Sequence, residues 1–210
     1  MKLILVRHGE TYWNEERRIQ GGDSDIALND TGLEQARKLA TFLQNERIIA
    51  ILSSPLQRAT ATAEVIASHH QLPVEVDQGL RELRVGELEG MSVSNLGITF
   101  SQFLVQWWQD RGATKLPNGE SLAELQERAW RAVERLLEKP RRVGANPEHS
   151  EGTIVVVSHY FVILAIILKA LDLPLDCFTK FKVDPGGVSI LEFRDSGPRL
   201  VTFNDTSYQG

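Results

Sequence analysis

Apolar residues in this chain fall into two alternating rhythms: short unbroken runs, and positions spaced three and four apart. Leu3 to Val6 is an unbroken run, which predicts a strand buried on both faces and ending at Arg7 and His8. Asn29-Asp30-Thr31-Gly32 offers capping residues before Leu33, Ala36, Leu39, Ala40 and Leu43, the spacing of one helix face, with an end expected near Asn45. Ile48 to Leu52 is a second strand-like run. Ser54 follows as the expected N-cap of the next helix, with Pro55 at its first position and Gln57 three residues after the cap. Pro73 to Val76 predicts a short strand leading into Gly79-Leu80-Arg81-Glu82-Leu83.

The second half repeats the alternation. Phe100, Phe103, Leu104, Trp107 and Trp108 group on what reads as one short helix within the segment Gly86 to Gly119. Ser121-Leu122-Ala123-Glu124 is a capping box, and Leu122, Leu125, Ala129, Val133, Leu136 and Leu137 continue at helical spacing until Pro140. Lys139 to Gly152 reads as a polar, mobile loop. Ile154 to Val157 is a strongly apolar strand ending at Ser158-His159, and Phe161 to Leu173 predicts a largely buried helix. Val188 to Phe193 and Leu200 to Phe203 read as a strand pair joined by the turn Asp195-Ser196-Gly197-Pro198. Strands alternating with helices imply an α/β fold layered about a mostly parallel central sheet, whose ligands bind beyond the carboxyl ends of the strands. His8, Arg58 and His159 each follow an expected strand closely, which makes them candidates for one crevice.

Composition narrows the function. At 210 residues, with 42% hydrophobic and 24% charged positions, one domain is expected, spanning residues 1–210. A net charge of -5 argues against a protein that coats nucleic acid or an anionic membrane, so any bound anion must be held locally. Cys177 is the only cysteine, which rules out an internal disulfide and zinc sites built from paired cysteines and fits a reducing cytoplasm. Met1 to Val6 is far short of a secretory core, and Phe161 to Leu168 is too short to span a bilayer. The adjacent pair His69-His70 points in two directions on a helix and reads as a solvated helix end rather than a metal site. The Trp107-Trp108 group is read as packing, with exclusion of water over a crevice as its alternative.

Arg7-His8-Gly9 joins a bidentate phosphate donor, an imidazole nucleophile and a residue that lets the backbone approach closely. Alone, a tripeptide of this kind is as compatible with an incidental histidine. The wider run Arg7-His8-Gly9-Glu10-Thr11-Tyr12-Trp13-Asn14, with Arg18-Ile19-Gln20-Gly21, Leu28 and Gly32 in step, resembles the signature of the histidine phosphatase superfamily, also called phosphoglycerate mutase-like. Ser53-Ser54-Pro55-Leu56-Gln57-Arg58-Ala59, Leu80-Arg81-Glu82, Gly119-Glu120-Ser121 and Val157-Ser158-His159 match in order, so the resemblance covers nearly the whole chain.

That resemblance implies a three-layer α/β/α sandwich of the phosphoglycerate mutase-like kind, with 86–119 as a cap segment. It implies His8 as the nucleophile, Arg7, Arg58 and His159 as ligands of the transferring phosphoryl group, and Glu82 as the proton donor. Asn14, Gln20 and Gly21 match positions that contact phosphate or substrate. No metal and no cofactor are implied. The expected partner is a small phosphomonoester, a homodimer being allowed. In this mechanism Glu82 must be kept protonated by burial, and a cationic His159 is preferred; Arg81 and Arg84 would oppose the acid unless they are paired elsewhere. A mutase that returns the phosphoryl group to its substrate is the main competitor. Such mutases carry a longer middle segment and a Phe-Thr-Gly run where Ile19-Gln20-Gly21 stands, and both departures favour hydrolysis. A catalytically silent phosphate sensor is disfavoured because all five central residues are present. Phosphoserine leads among the named substrates, ahead of α-ribazole phosphate and sugar phosphates, with Arg84 or a residue of the segment after Gly86 offered for its carboxylate. Against it, Val85 stands where some phosphoserine-specific relatives carry a His.

Overall fold

Alternate side chains of the first strand, β1 (Lys2–Arg7), belong to two different cores. Leu3 and Leu5 pack with Ile154, Val156, Leu125 and Ile163, whereas Ile4 and Val6 pack with Leu39, Ala40, Ala63 and Ile66. A strand buried this way on both faces must lie inside a sheet covered by helices on each side. The computed structural model describes residues 1–142 and 152–210, with the side chains of 139–142 excepted. In chain order the remaining elements are α1 (Tyr12–Glu15), α2 (Asp30–Leu43), β2 (Ile48–Ser53), α3 (Gln57–His70), β3 (Val74–Val76), α4 (Val93–Thr99), α5 (Ser101–Gln109), α6 (Leu122–Arg142), β4 (Thr153–Ser158), α7 (Tyr160–Ala170), β5 (Val188–Arg194) and β6 (Gly197–Asp205).

The sheet runs β3-β2-β4-β1-β5-β6. Its first four strands are parallel, and β5 and β6 add an antiparallel hairpin at one side. Helices α2 and α3 cover one face, α6 and α7 the other, which makes the three-layer α/β/α sandwich the sequence implies. Register matters most for function. Arg7 of β1 lies opposite Ser158 of β4, and Ser53 of β2 lies opposite Val157, so the residues that follow these strands emerge side by side.

Three local expectations shift. Ser54 does not cap α3, which begins at Gln57 with Leu56 at the N-cap and no side-chain cap bond. Pro55 disfavours helical backbone at Ser54, and the serine hydroxyl is held by His159 instead. The aromatic group does lie on one short helix, α5, with Phe100 at its N-cap, and a further helix, α4, precedes it. Helix α6 opens on the expected capping box, Ser121 and Glu124 each accepting the other's backbone N–H, but runs two residues past Pro140, whose missing N–H costs one bond of the helical ladder. Helix α7 stops at Ala170, closed by Asp172 in the left-handed conformation, where helix to Leu173 was expected. The loop expected over Lys139 to Gly152 lies, from 143 to 151, outside the described residues.

The turn after His8 is pressed against the start of α2. A Cβ on Gly32 would stand 2.1 Å from the Glu10 carbonyl oxygen, and one on Gly9 would stand 2.4 Å from that of Gly32. Backbone meets backbone here, so neither side can yield cheaply. Gly32→Ala is therefore expected to destabilise the protein by about 1–3 kcal/mol, despite the better helix propensity of Ala. A urea titration checks this: the midpoint should fall with the slope unchanged, and an unchanged or raised midpoint would mean that the two glycines do not anchor the turn.

Candidate active site

His8 leaves β1 with its backbone N–H bonded to the Ser158 carbonyl at 3.0 Å, which ties it to the end of β4. Gly186 N–H donates to the carbonyls of both Arg7 and His8, and Gly9 N–H reaches Thr62 Oγ1 at 3.2 Å. The ring is 3% exposed, and its Nδ1 lies 2.7 Å from the Gly9 carbonyl. A carbonyl can only accept, so Nδ1 carries the proton and Nε2 keeps its lone pair. Burial, then Arg58 and Arg7, hold the His8 pKa well below its ordinary value, which keeps the imidazole neutral. Position, tautomer and charge all suit a nucleophile.

Two guanidinium groups and a second imidazole surround it. Arg58, in the first turn of α3, has no exposed surface; its guanidinium donates to the carbonyls of Ser24 at 3.0 Å and Gly21 at 2.9 Å. Burial pulls its pKa down to about 10, opposed by Glu82, so it stays charged at neutral pH. Arg7 donates to the Val183 carbonyl at 2.6 Å and lies over the Tyr160 ring, 5.6 Å from the centroid. His159 leaves β4 fully buried, its ring 5.1 Å from that of His8 and its Nε2 2.7 Å from Ser54 Oγ. Arg7 Nε, Arg58 Nε and His159 Nδ1 are all buried without a hydrogen-bond partner. Buried polar atoms are rarely left so, and three of them around one imidazole make a socket for an anion. Burial, then Arg58, His8 and Arg7, also hold His159 well below its ordinary pKa, so the ring is neutral among these groups where the sequence reading preferred a cation. A dianionic phosphoryl group beside it would oppose each of those effects except burial.

Glu82 is 3% exposed. Its carboxylate accepts from Leu83 N–H at 2.7 Å and from Phe161 N–H, in the first turn of α7, at 3.3 Å. Burial raises its pKa; those two hydrogen bonds, Arg58 and Arg7 pull the other way without cancelling the rise. The two arginines of concern are engaged elsewhere: Arg81 Nε donates to the Gly22 carbonyl at 2.6 Å, and Arg84 lies 3.6 Å from Asp23. Arg128 of α6 fixes the segment instead. It donates to the carbonyls of Gly79, Arg81 and Glu82 at 2.9, 2.5 and 3.0 Å and pairs with Glu120, which in turn accepts Arg84 N–H at 2.9 Å.

A cavity of about 260 Å³ opens on this group, lined by Arg7, His8, Asn14, Gln20, Glu82 and Arg18 on its polar side. Arg58 and His159, fully buried, are not among its lining residues. Thr11 organises the two amides: its hydroxyl lies 3.1 Å from Asn14 Oδ1 and 3.0 Å from Gln20 Oε1, and Gln20 Nε2 is buried without a partner. Gly21 does not line the cavity. Its N–H donates to Glu89 at 2.9 Å and its carbonyl holds Arg58, so its place is behind the socket. Ser54, Arg128, Arg18 and Tyr160 were not singled out by sequence. Ser54 stood inside a matched motif and had been spent as a helix cap; nothing local distinguishes Arg128 from the other charged positions of α6. Among the described residues no group of three or more His, Cys, Asp or Glu is placed to hold a metal ion, and no helix is long and apolar enough to cross a membrane. The arrangement can bind a tetrahedral anion, present one nitrogen to it and move one proton.

Known proteins resemble this chain over nearly its whole length. A profile of the histidine phosphatase superfamily (branch 1) matches residues 3–206. The protein named Probable phosphoglycerate mutase GpmB of Yersinia pestis is 33% identical over 196 residues, covering 93% of this chain and 86% of its own. Among solved structures, phosphoserine phosphatase from Entamoeba histolytica in complex with 3-phosphoglyceric acid superposes with a TM-score of 0.83 at 32% identity, covering 100% of this chain and 99% of that one. The alpha-ribazole phosphatase from Shigella flexneri does so with a TM-score of 0.83 at 29% identity, covering 98% and 96%.

The depressed histidines have a consequence for stability. Below about pH 6.5 the unfolded chain protonates His8 and His159 while the folded protein does not, so stability falls as pH drops from there toward their folded pKa values. Glu82, raised when folded, works in the opposite sense: its contribution is fully present below its unfolded pKa and lost as pH rises through the folded one. Comparing the native protein with His8→Asn at each pH isolates the histidine. Between pH 6.5 and 5 the variant should lose less stability, by up to about 1.4 kcal/mol per pH unit. Chemical denaturation across that range is the check, and parallel curves would mean that His8 titrates normally.

Proposed function

The chain belongs to the histidine phosphatase superfamily, and we propose that it hydrolyses a small phosphomonoester through a phosphohistidine intermediate without a metal ion. One observation carries this reading: a neutral His8 with Nε2 free, grouped with the unpartnered buried Nε of Arg7 and of Arg58, the unpartnered Nδ1 of His159 and a carboxyl group raised by burial. His8 Nε2 attacks phosphorus as the ester P–O bond breaks opposite, and Arg7, Arg58 and His159 take up the charge on the equatorial oxygens. Glu82 gives its proton to the departing alkoxide. The resulting carboxylate then takes a proton from water, whose oxygen attacks phosphorus as the N–P bond breaks, leaving inorganic phosphate, neutral His8 and protonated Glu82. The donors are fixed before the substrate arrives, so they can stabilise the transferring group without reorganising.

The named substrate is the finer question. Phosphoserine, favoured by sequence, draws support from the Entamoeba neighbour, whose name carries that activity. Arg84, offered for its carboxylate, pairs with Asp23 and does not line the cavity. Arg18 does line it, with Nε on the Gly90 carbonyl at 2.8 Å and its guanidinium 4.7 Å from the centroid of the Trp13 ring.

A mutase is the second reading, favoured by the Yersinia relative. It differs in the fate of the phosphohistidine, which a mutase must shield from water until substrate returns. Given 3-phosphoglycerate and its bisphosphorylated primer, the protein is expected to release inorganic phosphate at least about tenfold faster than it forms 2-phosphoglycerate, with His8→Ala inactive in both respects. Following both products in one reaction decides it: rapid isomerisation with little phosphate would assign the same nucleophile to a mutase.

A further inference from the structure

A second cavity, of about 180 Å³, lies between α4–α5 and the sandwich, and all ten side chains that line it are apolar. It shares Ile19, Val85 and Phe161 with the cavity that holds His8 and Glu82, so the two meet at a common wall. Phe161 follows Tyr160, whose ring faces Arg7, and continues outward through Phe178 to Trp107, with ring centroids 5.7 and 5.8 Å apart. Away from His8 and Glu82 the wall shared by the two cavities is thus aromatic and aliphatic.

We propose that this apolar cavity receives the alcohol part of the substrate, so that the enzyme prefers phosphomonoesters of apolar alcohols carrying one aromatic ring or an alkyl chain of similar size. The inference rests on the phosphatase reading of the same site. Protein interiors are packed closely, and an apolar space of this size in contact with a reaction centre is the exception. An apolar cavity of about 150 Å³ admits benzene, so the volume suits one ring. No charged side chain lines the cavity to receive a carboxylate or an amine, and the one polar group among its lining residues is the Trp107 indole N–H, which can only donate. Arg18, the cation at the polar end, already spends Nε on the Gly90 carbonyl and lies against Trp13 and Glu16. A charged alcohol placed beyond Val85 would lose water and gain no counter-charge.

Three esters with similarly poor alkoxide leaving groups separate binding from leaving-group acidity: 2-phenylethyl phosphate, ethyl phosphate and phosphoserine. The native protein should hydrolyse the first with kcat/KM at least about tenfold above either of the others. Binding is read independently by calorimetry, where 2-phenylethylphosphonate should bind at least about tenfold more tightly than ethylphosphonate. Leu104 lines only the apolar cavity, and Leu104→Trp should reduce the phenylethyl-to-ethyl ratio about tenfold; Leu104→Phe is the milder variant should the first fail to fold. Equal treatment of the esters together with equal binding of the two phosphonates would overturn the proposal. Failure to hydrolyse any ester, with the phosphonate preference intact, would overturn the phosphatase reading while supporting the apolar subsite.

Discussion

A guanidinium with no surface in water must find its hydrogen bonds and its counter-charge inside the protein, and Arg58 sets that requirement for the whole site. The segment between α1 and α2 wraps over it to supply two carbonyls, from Gly21 and Ser24. Glu89 holds Gly21 in place, and a Cβ on Gly21 would stand 2.6 Å from the Leu83 carbonyl oxygen, so the wrap and the Glu82 segment are in contact. Glu82 lies close enough to act on Arg58, but burial favours its protonated, uncharged form. Burial first, and then the Arg58 charge together with Arg7, keeps both histidines neutral. One desolvated cation therefore adds to burial in keeping the nucleophile neutral and leaves a donor unsatisfied, a deficit that an incoming phosphoryl group fills.

The scaffold makes this tolerable by aligning strand ends. Parallel pairing of β1, β2 and β4 puts His8, Ser54 and His159 at one edge, and the backbone bonds of that edge keep them from drifting. Arg128 and Glu120 serve the fourth corner, holding the Glu82 segment by its carbonyls. Divided in this way, the phosphate end is rigid and charged, whereas the end reserved for the alcohol is built from α4 and α5, whose contacts are apolar.

Much of this was legible in the sequence because it rests on period and order. The unbroken run before His8 and the three-and-four spacing of α2 and α6 are consequences of burial, and burial is what apolar residues report. The five residues that the motifs name, Arg7, His8, Arg58, Glu82 and His159, are brought together by the fold. Ser54 was misread because its local context, just ahead of Pro55 and a helix, looks like a cap; only β4 lying beside β2 reveals His159 as its partner. Arg128 was illegible for a similar reason: its three carbonyl acceptors lie 46 to 49 residues away, in a turn with no regular pattern. The apolar cavity could not be read either, since Leu104 or Val85 in sequence is only an apolar residue, and whether it fills space or encloses it depends on the placement of two short helices.

The account stands on His8 Nε2 as the group that carries the phosphoryl. Rapid quenching of single turnovers with radiolabelled substrate, followed by proteolysis under alkaline conditions that preserve phosphohistidine, tests it directly. Label should appear on the peptide containing His8, rising before inorganic phosphate and decaying as phosphate is released. Phosphate released at the full rate with no label on His8 at any time would contradict the account, because water would then be attacking the substrate itself.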